Sequence, residues 1–198
     1  MRYTKSICKR CRSVGASLCG KPKCAFIRKP FGPGQHGQDR KKTSEYSLQL
    51  KAKQQIRWTY DVSESQFYSV YEEATRAKDV TGTVMLQILE SRLDNILYRS
   101  GLVGTRRQAR QVITHGHVKV NDKRLDIASA RMRPGDVVTI DTKSAASVKP
   151  MNIGLTSVTP TWLKTDAEQL KVEYVLVPDR ESLDQTFKEN LVIEYYSR

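Results

Sequence analysis

The sequence predicts an α+β protein in three parts. These are a basic N-terminal arm stapled through cysteines, a helical domain, and an inserted unit of two helices followed by short strands. Three observations carry that reading. Charge is segregated along the chain, four cysteines crowd the first 24 residues, and the hydrophobic period changes from 3.6 to 2 near His117.

The chain of 198 residues has room for one large domain or two small ones. A hydrophobic fraction of 38% is enough to bury a core and argues against full disorder. Only 11 Gly and 7 Pro exclude a collagen-like or low-complexity chain. No stretch approaches the roughly 18 apolar residues of a membrane span, and the N-terminus lacks the apolar core of a secretory signal. A soluble intracellular protein is the expectation.

Charge says more. Residues 1–60 carry fifteen Lys or Arg against two acids, Asp39 and Glu45, whereas residues 61–198 carry nineteen of each sign. Within that balanced part, residues 91–140 hold ten basic and four acidic side chains, leaving the remainder at −6. A surface charged only for solubility intersperses its signs. Two separate basic regions are instead the footprint of a protein laid on a polyanion. The Arg-rich, acid-poor start also fits a mitochondrial transit peptide, but it runs through four cysteines and two Gly/Pro turns, and no amphipathic helix is evident in it.

The cysteines are Cys8, Cys11, Cys19 and Cys24, spaced C-x2-C-x7-C-x4-C. A C-x2-C knuckle converges two thiolates on one ion, and a second close pair completes a tetrahedron. The chain between them is too polar to build a core. One structural Zn2+ would hold it, with roughly 10 kcal/mol or more of binding coupled to folding. Two disulfides, which a reducing cytosol disfavours, and unused thiols are the alternatives. No His lies in the cluster, so a closed structural site is favoured over a catalytic one.

The arm continues through Lys29, Pro30, Phe31, Gly32, Pro33, Gly34, Gln35, His36 and Gly37, a run that reads as a loop. Its glycines would let backbone amides approach a phosphate; a flexible linker is the alternative. Arg40, Lys41 and Lys42 follow.

Thr43 or Ser44 caps a helix to about Trp58. Ser63-x-x-Gln66 is a capping box, and Phe67, Val70, Tyr71 and Ala74 form one buried stripe behind it. A third helix is predicted over 84–100, burying Leu86, Leu89, Leu93, Ile96 and Leu97 and stopping at Gly101. A fourth spans 105–115, opened by Thr105-x-x-Gln108 and ended by Gly116. Arg106, Arg107 and Arg110 cluster around its first turn, where cations oppose the macrodipole by a few tenths of a kcal/mol each. A phosphate at that end would explain them.

Residues 117–120 then alternate polar and apolar, Asn121-Asp122 marks a tight turn, 124–127 alternates again, and a basic turn through Arg131 and Arg133 precedes a strand over Val137–Ile140. Residues 143–149 read as a linker and 171–177 as a strand. Ser182-x-x-Gln185 opens a short helix, and 191–196 reads as a last strand or extended segment. His115 and His117 end a helix and start a strand, so a capping or RNA-facing role is favoured over metal.

These residues carry a resemblance. The segment "SRLDNILYRSGLVGTRRQARQVITHGHVKVNDKRLDIASARMRPGDVVTI" resembles the RNA-binding module named after the fourth protein of the small ribosomal subunit, the S-four family. "KPFGPGQHGQDRKKTSEYSLQLKAKQQIRWTYDVSESQFYSVYEEA" resembles the arm and first helical domain of that family, and "ENLVIEYYSR" its terminus. The cysteines resemble the family's zinc-binding N-terminal form. Two departures stand out: the gap from Cys11 to Cys19 is short for that form, and Asn121-Asp122 replaces the commoner Asn-Gly.

The resemblance implies a ribosomal protein of the small subunit that binds small-subunit ribosomal RNA early in ribosome assembly and contributes to translational accuracy. It also implies contact with neighbouring ribosomal proteins, including S-five, and a cytoplasmic ribosome, an organellar one being an alternative. It implies an arm over 1–43, a helical domain over 44–90 completed by 150–198, and an S-four-type αα-β module over 91–149. Carried over by position, Arg2, Lys5, Lys9, Arg10, Arg12, Arg40, Lys41 and Lys42 would face RNA from the arm. Arg106, Arg107, Arg110, His115, His117 and Lys119 would do so from the module. Two rival readings are an RNA-modifying enzyme and a zinc-finger DNA regulator. The first lacks a Gly-rich phosphate loop, a nucleophile elbow and an H-x-E zinc motif. The second predicts tight binding of duplex DNA.

Overall fold

A computed structural model describes residues 3, 5–19, 23–39, 42–141 and 159–197. Among them it has eight α-helices and one five-stranded sheet, divided between two compact units. One unit comprises residues 1–83 and 184–198, the other residues 84–183. The predicted linker over 143–149 lies outside the described residues.

The arm holds two short helices, α1 (Cys8–Val14) and α2 (Ala25–Arg28), which composition did not announce. Gly15 ends α1 at φ 79, a left-handed cap that spares any Cβ. The Pro/Gly run is a loop as expected, with one 3-10 turn over Gln35–Gln38. It is tightly folded, because a Cβ on Gly37 would collide with the Gly32 carbonyl.

Helix α3 (Glu45–Thr59) begins where its cap predicts: Ser44 Oγ accepts the Ser47 amide at 3.2 Å. Helix α4 (Glu64–Arg76) starts at Ser63, whose hydroxyl accepts the Gln66 amide at 3.3 Å. The stripe of α4 is core, with Phe67, Val70 and Ala74 buried.

The C-terminal segment departs from expectation. Residues 189–196 form a helix, α8 (Glu189–Tyr196), not a strand. Its β-prone residues are overridden by tertiary packing: the Tyr195 ring meets Tyr46, and Tyr196 meets Phe67, Tyr68 and Tyr71. The short helix predicted from Ser182 is instead a 3-10 turn over Arg180–Ser182.

The predicted helix over 84–100 is two helices, α5 (Thr81–Glu90) and α6 (Leu93–Arg99). Arg92 between them is extended, and the backbone at Ser91 and Leu93 bonds to Met132 and Ala130 instead of continuing the helical ladder. The leucine spacing runs straight through that break, which is why periodicity alone misses it. All five predicted core residues, Leu86 to Leu97, are buried.

Helix α7 (Arg106–Thr114) follows its predicted cap: Thr105 Oγ1 accepts the Gln108 amide at 3.1 Å, while Gln108 Oε1 reaches back to the Gly104 amide at 3.0 Å. The hairpin β1 (Val118–Val120) and β2 (Lys123–Arg124) closes through Asn121 and Asp122, both at positive φ. The second arm of the hairpin is two residues long, shorter than the alternation over 124–127 suggests.

The sheet adds β3 (Val137–Ile140), β4 (Leu163–Asp166) and β5 (Lys171–Tyr174) in the order β2-β1-β3-β5-β4, all antiparallel. This corrects two expectations. The strand over 171–177 ends at Tyr174, and β4 was not anticipated. More broadly, the segment 150–198 does not belong wholly to the helical domain: β4 and β5 extend the sheet of the second unit, and only residues 184–198 join the first. The inner sheet face, with Val118, Val138, Ile140, Val172 and Tyr174, packs on α6 and α7 and on Trp162.

Candidate nucleic-acid interface and metal centre

Three of the four cysteines converge. The sulfurs of Cys11 on α1, Cys19 in the following loop and Cys24 at the cap of α2 lie within 4.8 Å of one another. Cys11 and Cys24 are 0% and 1% exposed, in a small cluster with Leu18, Ile7, Val14, Phe26 and Trp58. Cys8, one turn before Cys11 on α1, is not among the three.

Burial foremost pushes the Cys11 thiol up to about 12, offset in part by a backbone hydrogen bond at Leu18 and reinforced by Cys19 and Cys24. Cys24 moves the other way. Burial would raise it, but hydrogen bonds from Ser17, the Phe26 backbone and its two cysteine neighbours outweigh that. Three thiol sulfurs this close, with no carboxylate in the group, are compatible with a metal site, and sulfur donors are a set that zinc accepts. All four cysteines are free of disulfides.

The predicted arm cations fall into two groups, and Arg2, Arg40 and Lys41 lie outside the described residues. Lys5, Lys9 and Lys42 are exposed. Arg10 and Arg12 are half-buried and engaged. The Arg10 guanidinium sits 3.7 Å from the Tyr3 ring centre and 4.8 Å from that of Trp58. Arg12 donates to the carbonyls of Phe31 and Gly32 at 3.0 and 2.8 Å, tying the Pro/Gly loop to α1.

The second unit sorts its cations more sharply. Arg110 is 5% exposed and donates to Asp94 through Nε at 3.1 Å and Nη2 at 2.5 Å. Asp94 also accepts Arg92 at 3.0 and 3.1 Å. Arg110 is therefore a framework residue, which corrects its expected place on the outer surface. Its i, i+4 relation to Arg106 gave it a shared face, but that face is met by α6. Arg106 and Arg107 are half-buried at the start of α7, His117 is half-buried, and His115 and Lys119 are exposed. The rings of His115 and His117 lie edge-on, 6.0 Å apart.

Two cations absent from the expected set extend this surface. Arg124 pairs with Lys119 across the hairpin, so both project from the same side of the sheet. Its guanidinium lies over Gly116, where φ is +76 and a Cβ would collide with it. Lys123 is exposed beside it. The signal was present in the sequence: a two-residue turn at 121–122 makes position 124 the partner of 119. Lys119 and Arg124 thus share one side of the hairpin, Lys123 pairs with Val120 and projects to the other, and all three are exposed, as is His115 at the end of α7.

Comparison with known proteins decides the family. Residues 2–90 match the model of the Ribosomal protein S4/S9 N-terminal domain, and residues 91–138 match the S4 domain. The "Small ribosomal subunit protein uS4" of Gloeobacter violaceus is 45% identical over 204 residues, covering 100% of this chain and 99% of its own. The chain belongs to the uS4 family. Proteins of the same name from Acetivibrio thermocellus and Thermus thermophilus are 45% and 43% identical over 206 and 213 residues, with 100% of this chain and 99% of theirs covered. The uS4 family is one of structural components of the small ribosomal subunit, not of enzymes. The S4 match ends two residues inside β3, so β4 and β5 lie beyond it. Among the described residues, no helix is long and apolar enough to cross a membrane.

Proposed function

We propose that the protein binds small-subunit ribosomal RNA early in assembly of the subunit and contributes to translational accuracy there. The observation that carries this reading is the exposed pair Lys119 and Arg124 on one side of the hairpin, with Lys123 exposed next to them in sequence, inside the segment that matches the S4 domain. A folded RNA is read largely through its backbone and shape. Such reading requires cations held in fixed positions more than it requires base-specific side chains. These cations answer that requirement: Lys119 and Arg124 sit on paired strands, and Arg124 rests on Gly116.

The arm would supply the second surface, through Lys5, Lys9, Lys42 and their neighbours in sequence, Arg2, Arg40 and Lys41. Cys8, Cys11, Cys19 and Cys24 would hold one structural Zn2+. Bound zinc would hold the buried thiols as thiolates and add a link between α1 and α2 to the small apolar cluster there. Contact with a neighbouring ribosomal protein, S-five, and residence on a cytoplasmic ribosome follow from the same family reading. The functional parts are then the arm, a helical domain closed by α8, and the S4 module with its two added strands.

A filter-binding titration of the protein on small-subunit ribosomal RNA, with duplex DNA as competitor, tests the reading. Neutralising 6–10 phosphates predicts a loss of about 10³–10⁵ in affinity between about 50 and 200 mM salt, with duplex DNA competing poorly. Affinity that stays flat over that range, or duplex DNA that competes as well as ribosomal RNA, overturns it.

A further inference from the structure

Residues 1–44 contain one acid, Asp39, and one histidine, His36, and the two meet: His36 Nδ1 lies 2.8 Å from Asp39 Oδ2. An acid in a cationic arm works against a polyanion, so its place there calls for a reason other than charge. An exposed ion pair adds little to stability, so the fold is a weak reason. We infer that His36 is an RNA contact of the arm that accepts a hydrogen bond from a ribose 2′-hydroxyl through Nε2, and that Asp39 is the positioning residue that fixes its ring.

Chemistry sets the direction of the pair. A carboxylate only accepts, so Nδ1 carries the proton. The neutral ring then has a lone pair on Nε2, which can only accept. Along an RNA backbone the phosphate oxygens also only accept, whereas the 2′-hydroxyl can donate. Nε2 therefore matches the ribose and not the phosphate, and DNA offers no such donor. The pair is presented outward, with the side chains of His36 and Asp39 73% and 54% exposed. The loop beneath it is held in shape. Arg12 donates to the carbonyls of Phe31 and Gly32 and lies 4.9 Å from the centre of the Phe31 ring, while Gly37 packs too closely on Gly32 for any Cβ. The Gly37 amide donates to the Gly34 carbonyl at 3.3 Å, and the Asp39 amide to the His36 carbonyl at 3.4 Å, which closes the turn that brings the two side chains together. Exposed Arg28, Lys29 and Lys42 flank the loop in sequence. They would draw the phosphates, and phosphate contacts fix the register in which a ribose meets His36.

This inference rests on the reading that the arm faces RNA, and the experiment separates the two. Small-subunit ribosomal RNA is transcribed in two pools, one with scattered 2′-deoxy phosphorothioate nucleotides and one with scattered phosphorothioates alone. The fraction bound by the full chain is recovered, and the positions where substitution weakens binding are mapped for wild type and His36→Ala. At least one 2′-deoxy position should interfere with wild type and not with His36→Ala. On unmodified RNA, His36→Ala should bind about fivefold more weakly, the order of one neutral hydrogen bond. Asp39→Ala should weaken binding in the wild-type background, although it removes a negative charge, and strengthen it in the His36→Ala background. The inference alone is overturned by no loss from His36→Ala, by the same 2′-deoxy pattern in both proteins, by a difference confined to the phosphorothioate pool, or by equal effects of Asp39→Ala in the two backgrounds. Affinity unchanged by Lys5→Ala, Lys9→Ala and Lys42→Ala together would overturn it along with the reading of the arm.

Discussion

In the arm, Arg10 is gripped by the rings of Tyr3 and Trp58, and Arg12 by two backbone carbonyls. In the S4 module, Arg92 and Arg110 close on the buried carboxylate of Asp94, and Arg99 on that of Glu90. The two regions carry the same sign of charge but have different counter-groups available. Residues 1–44 contain only Asp39 as an acid, so Arg10 and Arg12 are ordered there by π-faces and backbone carbonyls. The module has acids to bury and a core formed by α6, α7 and the sheet. The comparison teaches that rigid presentation of cations needs a scaffold, and that a chain too basic and too short for a core needs a staple in its place.

The largest test of that contrast is removal of metal. On the proposed zinc site, chelation, or Cys11→Ser with Cys24→Ser, should unfold residues 5–19 and 23–28, since structural zinc contributes roughly 10 kcal/mol or more. Residues 91–140 should keep their amide protection. Hydrogen exchange checks both halves in one experiment, and protection that survives in the arm after chelation would break the comparison.

Next in size is the module's own anchor. Asp94→Ala leaves Arg92 and Arg110 buried without their shared carboxylate, a loss of about 3–5 kcal/mol. Denaturant unfolding of the module should report it, while the arm keeps its fold. A change under about 1 kcal/mol would mean the ion pairs are peripheral.

A smaller effect sharpens the picture of the surface. Gly116→Ala forces a non-Gly residue to positive φ, about 1–2 kcal/mol, and pushes Arg124 off its seat. Thermal melting should report the first and weaker RNA binding the second. Stability loss with unchanged RNA affinity would remove Arg124 from the interface.

The smallest effect lies in the helical domain. Burial alone would raise the Glu64 carboxyl. Hydrogen bonds from Lys53 and Tyr196 and the charges of Lys53 and Arg57 outweigh it and hold the carboxyl below its ordinary 4.5. Because the folded value is depressed, this group adds stability above about pH 4.5, and that stability is lost as pH falls through the lower folded value. Glu64→Gln should flatten the acid limb of the stability curve of this unit and loosen α8, whose Tyr196 hydroxyl donates to Glu64 at 2.8 Å. An unchanged acid limb would mean Glu64 does not tie down the C-terminal helix.

Much of the fold could be read from short-range patterns. Ser44, Ser63 and Thr105 cap helices because a hydroxyl at that position satisfies a free amide within three residues. Asn121-Asp122 turns the hairpin because both residues tolerate positive φ. What escaped were features set by distant partners. The break at Arg92 exists because the chain near Ala130 and Met132 bonds across it, and β4 exists because β5 offers an edge. Helix α8 forms because aromatic rings of α3 and α4 receive Tyr195 and Tyr196.

For the candidate site the division is similar. Sequence by itself determined which residues carry positive charge, that four cysteines crowd the arm, and that α7 starts with arginines, since these are matters of composition and spacing. Tertiary structure alone decided which cations are counter-ions and which are presented. Arg110 turns to Asp94, Arg106 to Asn95 and Arg124 onto Gly116. The physical reason is that a guanidinium's role depends on what lies within about 3 Å of it. Those neighbours come from a different helix or strand, at separations that no local pattern encodes.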